Sequence, residues 1–283
     1  MDISSTPIPA KLGRYEIVEP IGSGAMGRVF LARDPKINRT VAIKAVDLAS
    51  ECETHELDGA RSRFLREAEA AGRLSHPDIV TIYDVGENGG IVYIAMEYVH
   101  GRRLSDFAAP DALLPPASAL ELLARAADAL HYAHRHNVVH RDIKPANIMY
   151  DSPSNTLKLT DFGMARLTDA ARTRAGIVLG TPSFMSPEQL EGKNVNGHTD
   201  LFALGVTLFQ LLTGQLPFRG TSMTKLMFVI ANEPHPAIAS LRADLPAWIG
   251  SILDKALAKD PSDRYRDGAE MAHALRAAAA RLA

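Results

Sequence analysis

Apolar residues recur with two different periods along this chain. Over the first hundred residues the runs are short and close to alternating. "RYEIVEPIG" and "GRVFLARD" read as β-strands separated by a glycine turn, and "RTVAIKAVDL" as a third. Over residues 57–74 the period becomes helical: Phe64, Ala68, Ala71 and Leu74 share one face, and charges fill the other. "HPDIVTIYDVG" and "GGIVYIAMEYV" then read as two further strands. The pattern predicts a five-stranded antiparallel sheet with one helix.

After "HGRRL" the helical period dominates. Pro116 opens a long helix with Leu120, Leu123, Ala127 and Leu130 on one stripe. Further helices are predicted near 199–213, 223–232, 246–258 and 268–282. The expectation is an α+β fold of two lobes. A flexible leader covers 1–13, a small β lobe about 14–96, a hinge about 97–101 and a mainly helical lobe about 102–283. A ligand site is expected at such a junction.

Composition narrows the classes. The chain has 283 residues, 46% of them hydrophobic, enough for a substantial core. Its net charge of −2 argues against a general nucleic-acid or anionic-membrane binder. The single cysteine, Cys52, excludes an intrachain disulfide and any zinc site needing two or more thiolates, and it fits a reducing cytosol. No run approaches the roughly 20 apolar residues of a membrane span. The start lacks the pattern of a secretory signal. A cytoplasmic place is expected, either alone or as the cytoplasmic domain of a longer membrane-anchored protein.

Four motifs carry chemistry. "IGSGAMGRV" spaces Gly22, Gly24 and Gly27 as G-x-G-x-x-G. A dinucleotide fold uses the same spacing but needs a helix next, and here Val29, Phe30 and Leu31 favour a strand. A hairpin turn able to lay N–H groups over phosphates is the reading that follows. "VAIK" sets Lys44 on the next strand, between Ile43 and Ala45, which would face the opposite side. Such a lysine can neutralise phosphates and needs a carboxylate; the helix offers Glu67 and Glu69, and Glu67 adjoins the apolar face. In "HRDIKPAN", Asp142 can accept a hydroxyl proton, Lys144 can neutralise a phosphoryl group in flight, and Asn147 offers a carbonyl to a hard cation. "DFG" adds Asp161 as the second metal ligand. Together the set suits phosphoryl transfer.

The histidines of "HYAHRHNVVHRDIKPANIMY" prompt a competing metal-site reading. His131, His134 and His136 lack convergent partners and read as a chance excess. His140 reads as a packed residue supporting Phe162.

With these motifs in this order, the chain resembles a eukaryotic-type Ser/Thr protein kinase of the bacterial branch, from about Arg14 to Leu275. That resemblance implies a protein serine/threonine kinase transferring the γ-phosphoryl group of ATP to Ser/Thr hydroxyls, with Mg²⁺, or Mn²⁺ as an alternative. Asp142 is then the catalytic base and Asn147 and Asp161 the metal ligands. Lys44, paired with Glu67, holds the α and β phosphates. The backbone from Gly22 through Ser23, Gly24, Ala25 and Met26 to Gly27 covers the phosphates. Ile21, Val29, Ala42 and Met149 sandwich the adenine, and Met96 precedes the hinge, where Glu97 and Val99 bind the base. Lys144 and Thr181 mark the Ser/Thr class. Glu188 pairs with Arg264, and Asp200 anchors the catalytic-loop backbone, although a plain helix N-cap would suit Asp200 equally. Arg141, ahead of Asp142, fits control by an activation-loop phosphate, with Thr173 preferred over Thr168. Expected partners are Ser/Thr-bearing proteins and a second copy phosphorylated in trans, as a transient dimer. The complete catalytic set disfavours a catalytically silent binding module. The segment around Thr181 disfavours a small-molecule kinase. Departures from the family pattern are Ser186 before Pro187-Glu188, Phe202 where a polar aromatic is common, and the basic His100-Gly101-Arg102-Arg103 after the hinge.

Overall fold

The structure is a computed structural model that describes residues 9–24, 27–48, 57–162 and 182–282. Cys52, Ala25, Met26, Thr168, Thr173 and Thr181 lie outside these residues. The chain divides into two units. Among the described residues, the first comprises those up to 73 and 80–99, and the second comprises 74–79, 100–162 and 182–282.

Unit 1 is built on a six-stranded antiparallel sheet in the order β1-β2-β3-β4-β6-β5. Its strands are β1 (Lys11–Leu12), β2 (Tyr15–Gly24), β3 (Gly27–Asp34), β4 (Arg39–Asp47), β5 (Ile82–Asn88) and β6 (Ile91–Glu97). Five strands were expected, and β1 is the sixth. It corrects the leader as well, since Lys11 pairs with Glu16 and Leu12 with Tyr15. Leu12 is buried beside Tyr15 in the core, which two residues among polar neighbours do not advertise. Helix α1 (Leu57–Gly72) packs near β5.

The alternation predicted for "VAIK" is realised. Val41, Ile43 and Ala45 join Tyr15, Phe30, Ala32, Tyr93 and Ala95 in one core. Ala42 and Lys44 therefore face the other side of the sheet. Direct cross-strand partners share a face, so Val29 (opposite Lys44) and Met96 (opposite Ala42) stand there with them.

Unit 2 is mainly helical. Its helices are α2 (Pro116–Arg135), α3 (Pro187–Leu190), α4 (Gly197–Thr213), α5 (Met223–Asn232), α6 (Trp248–Ala256) and α7 (Gly268–Leu282). The three-stranded sheet β7 (Arg102–Arg103), β8 (Ile148–Asp151) and β9 (Thr156–Leu159) completes it. Helix α4 is buried on nearly every side, as its run LFALGVTLFQLL requires. Asn196 caps its start by accepting from His198 N–H, which places the first turn two residues before the predicted boundary. Gly214 ends it at φ 71°, the left-handed C-terminal turn. At the end of α5, the Ile230 carbonyl would bond to residue 234, but Pro234 has no N–H. Lys259 Nζ fills that vacancy at 2.7 Å.

Segment 74–79, expected inside the β lobe, belongs to unit 2. Asp78 forms an ion pair with Arg125 of α2, and its carbonyl accepts from Leu159 N–H at 2.8 Å. Ile79 forms a parallel bridge with Leu159.

The long helices α2 and α7 pack along each other. A Cβ added at buried Gly268 would stand 2.3 Å from the Ala127 carbonyl oxygen. Gly268→Ala should therefore push the start of α7 away from α2, costing about 1–3 kcal/mol. Trp248, the only tryptophan, lies under the Arg281 side chain of α7 and reports that packing. The midpoint of its fluorescence transition in urea should fall accordingly.

Candidate active site

In unit 1, β2 and β3 form a hairpin with Gly22 opposite Val29 and Gly24 opposite Gly27. A strand, not a helix, follows the glycines, which removes the dinucleotide reading. Gly27 has φ 110°, and a Cβ there would lie 2.2 Å from Ala45 O, so only glycine fits. At Gly24 a Cβ would meet nothing within 4 Å, leaving open space over the turn.

Lys44 is only 5% exposed. On α1 the buried residues are Ala60, Phe64, Ala68 and Ala71. Glu67 falls on that stripe, three residues after Phe64 and four before Ala71, and is half-buried. Glu69 is exposed and paired with Arg73 at 2.6 Å. Glu67 is thus more enclosed than Glu69 on this helix. Met96 is buried, Val29 half-buried and Ile21 exposed. Glu97 is tied to Thr81, donating its N–H at 2.9 Å and accepting Thr81 N–H on Oε2 at 3.2 Å.

In unit 2, Asp142 is the hub. Lys144 Nζ donates to both its carboxylate oxygens, at 3.0 and 2.8 Å. Asn147 Nδ2 donates to Asp142 Oδ2 at 2.9 Å and to the Asp142 carbonyl at 2.8 Å. Both amide hydrogens are so used, and Asn147 is left with Oδ1 to offer a ligand. The hairpin β8–β9 brings the residue before Asp161 to Asn147: Ile148 pairs with Leu159, and Thr160 N–H donates to the Asn147 carbonyl at 2.9 Å. A carboxylate and an amide oxygen form a hard donor set that fits Mg²⁺.

The catalytic loop is held from beneath. Asp200 is fully buried inside the first turn of α4. It accepts His140 N–H at 2.8 Å and Arg141 N–H at 2.7 Å. The N-cap is Asn196, so the capping alternative for Asp200 is set aside. His134 Nε2 lies 2.8 Å from Asp200 Oδ2, which corrects its reading as a chance histidine. Burial alone pushes the Asp200 carboxyl up. The His134 hydrogen bond and charge, with His140, outweigh burial and hold it below the ordinary carboxylate value. His140 is buried; its Nδ1 accepts Asp142 N–H at 3.3 Å, and its Nε2 donates to Thr160 O at 2.8 Å. Its ring packs on Phe162 at 4.4 Å.

Arg141 (φ 69°) and Asp161 (φ 65°) take left-handed backbone conformations. Such conformations cost of order 1–3 kcal/mol each and persist only where surroundings impose them. At Arg141, Asp200 holds the N–H and Gln189 Nε2 holds the carbonyl at 3.1 Å. Gln189 in turn closes a capping box with Ser186, so the serine found in place of alanine gains a role. Thr199 Oγ1 donates to Glu188 Oε1 at 2.7 Å. Glu188 and Arg264 form a two-pronged pair, both contacts 2.8 Å. Phe202 stacks on Phe218 with centroids 6.0 Å apart and carries the Arg264 guanidinium on its face.

Residues 15–276 match the protein kinase domain family. The chain belongs to the protein kinase domain family. It is 41% identical over 267 residues to serine/threonine-protein kinase PknB of Mycolicibacterium smegmatis, covering 91% of this chain and 42% of that protein. It is 40% identical over 262 residues to serine/threonine-protein kinase PrkC of Bacillus subtilis, covering 92% and 39%. The chain thus spans about two fifths of the length of these curated relatives. The crystal structure of the Mycobacterium tuberculosis PknI kinase domain is similar with a TM-score of 0.76 at 32% identity, covering 96% of this chain and 98% of that one. Protein kinase domains as a family use ATP and a divalent metal ion and act on proteins. Among the described residues, no helix is long and apolar enough to cross a membrane.

Burial pushes the Glu188 carboxyl up, but hydrogen bonds from Arg264 and Thr199 prevail and bring it down to about 2. A depressed carboxyl stabilises the fold above its unfolded value of 4.5 and loses that contribution as pH falls toward 2. The contribution is roughly 3 kcal/mol at neutral pH. Arg264→Met strands the carboxylate and should cost about 3–5 kcal/mol at pH 7. Urea titrations at several pH values should show this cost shrinking as pH falls below 4.5.

Proposed function

We propose that this chain is an ATP- and Mg²⁺-dependent protein serine/threonine kinase. The observation that carries it is the Asp142 hub, with Lys144 and Asn147 on one carboxylate and the β8–β9 hairpin leading from Asn147 to the residue before Asp161. Asp142 orients the Ser or Thr hydroxyl and takes its proton as the oxygen bonds to the γ-phosphorus. The bond from that phosphorus to ADP breaks, and ADP leaves. Lys144 neutralises the moving phosphoryl group. Asn147 Oδ1 and Asp161 would hold the metal ion, which would supply charge neutralisation at the phosphates.

In unit 1, Lys44, oriented by Glu67, holds the α and β phosphates under the turn from Gly22 to Gly27. Val29, Ala42 and Met96, on the Lys44 face of the sheet, contact adenine with Ile21, and Glu97 and Val99 offer backbone groups to it. In domain terms, 11–73 with 80–96 is the nucleotide lobe, 97–101 the hinge, and 74–79 with 102–283 the catalytic lobe. Thr181 and Lys144 assign the hydroxyl class. Thr173, with Thr168 second, is the autophosphorylation site, acted on in trans by a second copy in a transient dimer, and Arg141 receives its phosphate. The reaction belongs in the cytoplasm, where ATP is plentiful.

Radiolabel from γ-labelled ATP and Mg²⁺ should enter myelin basic protein. Asp142→Asn should lower that rate by about 10²–10⁴-fold while preserving the fold by circular dichroism. Equal incorporation by the two proteins would remove the catalytic reading. Mass spectrometry of the labelled chain should place phosphate on Thr173, and no phosphate when Asp142→Asn is incubated alone.

A further inference from the structure

The basic stretch after the hinge is not used by the chemistry above. His100, Gly101, Arg102 and Arg103 are all exposed. Gly101 has φ 107°, and a Cβ there would lie 2.4 Å from Tyr150 O, so the backbone presses on β8. β7 is thereby pinned, with Arg102 opposite Tyr150 and Arg103 opposite Met149. The two arginines differ in their partners. Arg102 reaches Asp106 at 3.4 Å and lies over the Phe107 ring at 4.6 Å. The Arg103 side chain makes no hydrogen bond or ion pair among the described residues.

The local charges leave Arg103 as the surplus. Lys144 is matched by Asp142, and Arg102 by Asp106. β7 also packs against the turn Pro145–Asn147 that carries Asn147. One strand spacing plus two residues of strand put the Arg103 Cα about 8–9 Å from that of Asn147. Asn147 in turn touches the Asp142 carboxylate. An extended peptide rises about 3.3 Å per residue, so a guanidinium roughly 7–13 Å from the acceptor hydroxyl faces a residue two to four positions away.

We propose that Arg103 selects substrate peptides bearing a carboxylate two to four residues from the phosphoacceptor. The inference rests on the kinase reading and names the substrate class of that same site. A pinned backbone with an uncommitted guanidinium is preorganised for a planar carboxylate. An arginine at that position in the peptide meets like charge instead.

The test uses three serine peptides that differ only at positions two to four on both sides of the acceptor, carrying Glu, Ala or Arg. Wild type should favour the Glu over the Arg peptide by about tenfold or more in kcat/KM. Arg103→Glu should reverse the order, and Arg103→Ala should bring the ratio near one. Arg266→Glu, a charge change at a remote exposed site, should keep the wild-type ratio. An unchanged ratio in Arg103→Glu overturns the proposal. A raised KM for ATP with the peptide ratio intact also overturns it, and assigns Arg103 to the nucleotide. Label in the Ala peptide with no Glu preference sinks this inference and leaves the kinase reading standing. Label in none of the three, or in myelin basic protein, removes both.

Discussion

A buried carboxylate governs the geometry of the catalytic loop. Asp200 sits in α4, the most enclosed helix of unit 2, and receives two consecutive backbone N–H groups from a loop some sixty residues earlier. Placing a charge there costs several kcal/mol unless every lone pair is used. The N–H groups of His140 and Arg141 and the His134 ring meet that demand. The loop therefore cannot drift without leaving a buried charge unsatisfied. Arg141 is held in a left-handed conformation from both sides of its backbone, and the next residue, Asp142, is aimed by that constraint.

The Glu188–Arg264 pair extends the same logic outward. Arg264 also donates to the carbonyls of Ala258, His198 and Lys259. One guanidinium thus ties the segment after α6, the start of α4 and the short helix α3 together. Through Gln189 the last of these reaches the Arg141 carbonyl. The polar contacts in this region form one connected set, in which removing a member leaves a neighbour unpaired.

Much of this was legible in the chain, and the pattern of what was not is physical. The chemistry-bearing residues were readable because they lie on short stretches where spacing alone fixes their relation, as in Asp142, Lys144 and Asn147. Helix ends at residues 223, 232, 268 and 282 fell where predicted. Contacts between distant segments were harder. In the sequence Asp200 reads as the anchor of the loop backbone, with a helix cap as the alternative, and His134 as a chance histidine; only the packing of α2 on α4 joins the two. Segment 74–79 continues the β pattern of its neighbours, yet Asp78 finds its partner in Arg125, 47 residues on. Strand β1 is two residues long, too short for any periodicity.

The left-handed turn at Arg141 has a kinetic consequence. Two supports of that conformation arrive from residues 48 and 59 positions away in sequence. Contacts of that separation require a long loop to close before they reward the chain. On refolding, the helices can regain their dichroism while the loop is still unformed. The loop geometry around Asp142 depends on α3 and α4 being docked beneath it.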